Sequence, residues 1–94
     1  MDASEAREER VKAKAARDEA KAKYHAVPLA SPEHKEFEKD WLRAEVAFAQ
    51  AHLDWVKAQV PRNEEDVADA HAALTFAREQ LDKVTGAGSL HMSE

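Results

Sequence analysis

The sequence predicts an all-α fold, a three-helix bundle built on an antiparallel hairpin of the second and third helices, with an alanine-rich, charged first helix. Three observations predict it. Roughly a fifth of the 94 residues are alanine, only two are glycine and 35% are charged, a mixture that favours helix over strand. No isoleucine occurs, and no short run is rich in β-branched and aromatic residues, so strand signals are missing. Two proline-bearing segments, HAVPLASPEH at 25–34 and VPRNEED at 60–66, divide the helical pattern into three.

The chain is expected to form one domain over 1–85, with helices at about 3–25, 32–59 and 63–85 and a flexible tail at 86–94. The first helix is stabilised locally, by its alanines and by pairs such as Glu8–Lys12 and Glu19–Lys23 at i,i+4 spacing. Ser31 followed by Pro32 marks the start of the second helix, as a hydroxyl cap and then a residue whose φ is already helical. Asn63 caps the third, and Glu64, Glu65 and Asp66 complement the positive end of its dipole. Lys83 and Gly86 close it.

The second helix carries two apolar stripes. Leu42, Val46, Ala49, Leu53, Val56 and Val60 repeat at alternating four- and three-residue steps, the spacing of a heptad seam. The third helix answers with Val67, Ala70, Leu74, Ala77, Leu81 and Val84. Folded about residues 61 and 62, the two seams meet level by level, and three of five levels set a small side chain against a larger one. The other stripe, Phe37, Trp41, Ala44, Phe48, Ala51 and Trp55, lies about 100° round the helix and requires a second neighbour. That neighbour is either the first helix, closing a monomeric bundle, or another chain, a second copy or a different protein, with the first helix then projecting or folding only on binding. An alanine register places Ala20 near Phe37, Ala16 near Trp41, Ala13 near Ala44 and Ala6 near Ala51, with Glu9 falling at Phe48.

Motifs for chemistry are missing. The chain has no cysteine, no Gly-rich phosphate loop, no nucleophile elbow and no histidine preceded three residues earlier by glutamate. No enzyme activity, cofactor or metal is expected. His52 and His71 fall on one hairpin level, and the expectation is half-exposed flank residues rather than ligands. Glu45 is expected at a seam edge, reaching solvent.

The net charge of −5 disfavours non-specific nucleic-acid binding, and the spacing of Arg10, Lys12, Lys14, Arg17, Lys21 and Lys23 suggests scatter around the first helix. No apolar stretch is long enough to cross a membrane, the amphipathic helices lack a lysine-rich face for a membrane surface, and an acidic, polar start argues for a cytoplasmic protein. The sequence therefore points to a non-catalytic protein–protein interaction module, an assembly, adaptor or inhibitory component. It would contact a partner protein or a second copy through Phe37, Trp41, Phe48 and Trp55. The alternatives are a nucleic-acid regulator using the basic residues of the first helix, or an acidic mimic that binds a basic partner.

Overall fold

A computed structural model describes residues 2–86. It is all-helical: α1 spans Ala3–Ala26, α2 His34–Lys57 and α3 Glu64–Thr85. Residues 87–94, most of the expected tail, lie outside the described residues.

Each helix start has a local cause. The Asp2 carboxylate accepts a hydrogen bond from the Glu5 backbone N–H at 2.9 Å, which anchors the first turn of α1. The Asn63 side-chain oxygen accepts from the N–H groups of Glu65 and Asp66 at 2.9 and 3.1 Å. Asn63→Ala leaves both donors without that acceptor and is expected to lower stability by about 1 kcal/mol, read from the midpoint of urea unfolding. At α2 the expectation shifts by two residues. The Ser31 hydroxyl accepts from Glu33 N–H and its carbonyl from His34 N–H, so Ser31 and Pro32 form a tight turn and the helix begins after it. Gly86 ends α3 at φ 79°, the left-handed conformation that glycine takes without steric cost, and its N–H donates to the Asp82 carbonyl.

The hairpin core follows the two heptad seams as far as Val56; Val60, expected as the next seam residue, lies beyond the end of α2 at Lys57 and is 95% exposed. Ala49, Leu53 and Val56 of α2 and Ala70, Leu74 and Ala77 of α3 form one buried cluster, with Val46 and Val67 packed against it. Alanine beside leucine at successive levels brings the helices close and leaves little void.

The alanine register for α1 is corrected by the structure. Tyr24, not Ala16, stacks on Trp41, with ring centroids 5.0 Å apart. Arg17, not Glu9, lies over Phe48, its guanidinium carbon 4.4 Å from the ring centroid. Arg10 lies over Trp55 at 4.0 Å. Each aromatic thus meets a residue about two turns further along α1, and Ala16 is exposed. The seam that faces α2 is Ala6, Arg10, Ala13, Arg17, Ala20 and Tyr24, again in alternating four- and three-residue steps, and each of these residues is at least partly buried. In this register the broad levels, Tyr24 with Trp41, Arg17 with Phe48 and Arg10 with Trp55, alternate with levels of alanine on both sides. Ala6 reaches 0% exposure and Ala51 is buried. The arrangement is favourable because arginine is long, flat and weakly hydrated, and stacks on an aromatic face with its charged edge in water.

Helix α2 is the shared middle element, packed on α1 along one flank and on α3 along the other. α1 and α3 do not meet: among the described residues no Cα atoms of the two come within 8 Å. The molecule is consequently slab-like, 48 × 35 × 18 Å, and one face of α2 is not covered.

Candidate protein interaction surface

Because α1 and α3 leave α2 open between them, a groove of about 640 Å³ runs along that face. Trp41, Leu42, Phe48 and Ala49 of α2 form its floor, Arg17 and Lys21 of α1 one wall, and Phe76, Ala77 and Val84 of α3 the other. Phe76 stands on the rim at 63% exposure. A shallower hollow continues towards the far end of α2, lined by His52, Trp55, Asp66 and Asp69.

All four aromatics singled out in the sequence are half-buried, and three of them carry the α1 interface. Trp41 and Phe48 also line the groove, and Trp55 the hollow. Phe37 lines neither. Phe76, which the sequence reading passed over, is the aromatic that α1 and α2 leave most open. Its signal was a large side chain one position off the α3 seam, between Leu74 and Ala77, on a helix otherwise rich in alanine.

Glu45 is the polar pivot of the floor. It accepts a hydrogen bond from the Trp41 indole N–H at 3.2 Å and meets the Arg17 Nε at 3.5 Å. Arg17 also reaches Asp18, whose carboxyl is held below the usual range by hydrogen bonds from Lys14 and Arg17. The network therefore orients the Arg17 guanidinium over Phe48 and the Trp41 ring under Tyr24 at once.

The two histidines part company. His71 is exposed. His52 is stacked between Phe48 and Trp55, and its Nδ1 lies 3.4 Å from Arg10 Nη1. Partial burial, and then the nearby Arg10 charge, push its pKa below the ordinary 6.5, while Asp66 pulls the other way. As pH falls through 6.5 the unfolded chain takes up this proton before the folded one does, so the His52 contribution to stability is complete above 6.5 and declines below it. Urea midpoints at about pH 7.5 and about pH 5 are expected to differ less for His52→Gln than for the wild type; equal differences would show that His52 is not linked to folding.

Among the described residues no group of three or more histidines or carboxylates is placed to hold a metal ion, and no helix is long and apolar enough to cross a membrane. Part of the basic set of α1 shares a face, while Lys12 and Lys23 fall on others. Arg17 and Lys21 line the groove, and Arg7, Arg10 and Lys14 fall on the same face by helical periodicity, one or two heptads earlier. No protein-family model, curated protein or solved structure matches the chain.

Proposed function

We propose that this chain is a non-catalytic helical interaction module, an assembly, adaptor or inhibitory component, whose contact surface is the groove between α1 and α3. The observation that carries the reading is the exposed Phe76 beside a floor of Trp41, Leu42, Phe48 and Ala49. A groove between two parallel helices, floored by apolar side chains and rimmed by charge, accepts a further amphipathic helix as a fourth element. The aromatic stripe then works indirectly. Its broad faces hold α1 in place, and Trp41 and Phe48 give the groove an apolar floor.

The test is a library of helical peptides panned against the chain, immobilised sparsely enough to keep copies apart, with Phe76→Glu as the counter-target. The expected winners carry apolar residues at i, i+3 or i+4, and i+7, and lose binding to Phe76→Glu. Failure to enrich such peptides, or enrichment indifferent to Phe76→Glu, would remove the groove from consideration. Phe76 is mostly exposed, so this change leaves the fold in place, which circular dichroism checks.

The alignment of Arg7, Arg10, Lys14, Arg17 and Lys21 supports a second reading, contact with nucleic-acid phosphates. Against it, Arg10 and Arg17 are engaged on aromatic rings, and Asp66 and Asp69 line the same side of the molecule. Absence of duplex binding at about 50 mM salt, where such contacts are strong, would dismiss it.

A further inference from the structure

The two helices that flank the open face differ in charge. Arg17 and Lys21 of α1 line the groove, and Arg7, Arg10 and Lys14 precede them at helical spacing, with Asp18 paired to Lys14 and Arg17. On α3, Asp66 and Asp69 line the hollow and Ala73, Phe76 and Gln80 follow along the groove, whose lining also includes Glu38 and Glu45 of α2. The walls are also level with each other, as α2 shows. Trp55 lies under Arg10 and lines the hollow with Asp66 and Asp69. Phe48 lies under Arg17 and lines the groove with Phe76. Because α1 and α3 are each antiparallel to α2, they run parallel to one another, and Arg7, one turn before Arg10, stands level with Asp66.

Deepening the groove reading above, and resting on it, we propose that the occupant of the groove is α3 of a second copy of this chain, in a two-fold dimer. Two kinds of two-fold axis lie in the plane of the open face. An axis across the helices stacks α1 on α1 and α3 on α3, setting the basic stripe against itself. An axis along the helices brings α1 of one copy to α3 of the other without changing level. Arg7 and Arg10 then approach Asp66 and Asp69 of the second copy, and Phe76 enters beneath Arg17, against Trp41 and Phe48. The contact is isologous, so every pairing occurs twice and the assembly closes at two copies. The broad face measures 48 × 35 Å, roughly twice the ~800 Å² per partner that a standard stable interface buries, so partial overlap of the slabs suffices. Opposite charges steer the encounter and exclude the like-on-like packing.

Sedimentation velocity of the full chain across a wide concentration range tests the dimer. The expected wild-type mass at high concentration is twice 10.5 kDa, falling to 10.5 kDa on dilution. Phe76→Glu is expected to be monomeric throughout. Asp66→Lys alone and Arg7→Glu alone are each expected to raise the dissociation constant at least tenfold, and the double variant to return most of that loss, since both residues are exposed and lie outside the core. A wild-type mass of 10.5 kDa at every concentration would overturn the second copy. If panning still yields Phe76-dependent peptides, the groove reading survives that result and only its occupant changes. A dimer indifferent to Phe76→Glu, or charge reversals whose effects simply add, would also overturn the arrangement.

Discussion

Leu53→Ala is expected to lower the unfolding free energy by about 3 kcal/mol, within the ~2–5 kcal/mol that such truncations cost in close-packed cores. Leu53 is 3% exposed at the centre of the cluster that joins α2 to α3. Its cluster neighbours include Ala49, Ala70 and Ala77, which are too short to swing into the space vacated. The cavity therefore stays largely open, and the lost contacts are not replaced. A domain of this size is stable by roughly 5–10 kcal/mol, so this one change removes a large share of the margin. Urea unfolding followed by far-ultraviolet circular dichroism measures it. A loss below about 1 kcal/mol would mean that the hairpin seam is not where the chain keeps its core.

The second large effect is expected from Trp41→Ala combined with Trp55→Ala. These rings lie under Tyr24 and Arg10, near the two ends of the α1–α2 contact. Both are half-buried, so each truncation is expected to cost about 2 kcal/mol rather than the full price of a buried aromatic. α1 packs on α2 alone, so the loss falls on α1 and not on the hairpin. Hydrogen exchange resolved by residue is expected to show α1 amides losing most of their protection while those of α2 and α3 near Leu53 and Leu74 keep theirs. Equal loss in all three helices would show that the molecule opens as one unit.

The hairpin was legible because both of its seams are apolar and keep heptad spacing across a short connection; Leu53 and Leu74 announce themselves. The place of α1 was not, because two of its seam positions are Arg10 and Arg17. A search for apolar residues takes Ala16 in preference to Arg17 and shifts the helix by two turns. The better signal was alanine at strict heptad intervals, Ala6, Ala13 and Ala20, matched by Ala44 and Ala51 on α2 and Ala58 at its C-cap. The groove was hidden for a different reason. Whether α1 and α3 close over α2 or lie on either side of it depends on the angle between two interfaces on one helix, and the widths of Phe48, Trp41 and Arg17 decide that angle only once they are packed.

The solitary attachment of α1 also bears on how the molecule is made. A chain made from its N-terminal end presents α1 before α2, and the surface α1 rests on is finished only when the residues up to Trp55 have followed. In that interval α1 lacks the α2 surface it packs on. Its 24 residues, the Asp2 cap, and the Lys14–Asp18 and Glu19–Lys23 ion pairs suit it to hold helical structure unaided. The charged, alanine-rich composition that makes α1 a weak packing partner is also what keeps a newborn segment from clinging to other nascent chains.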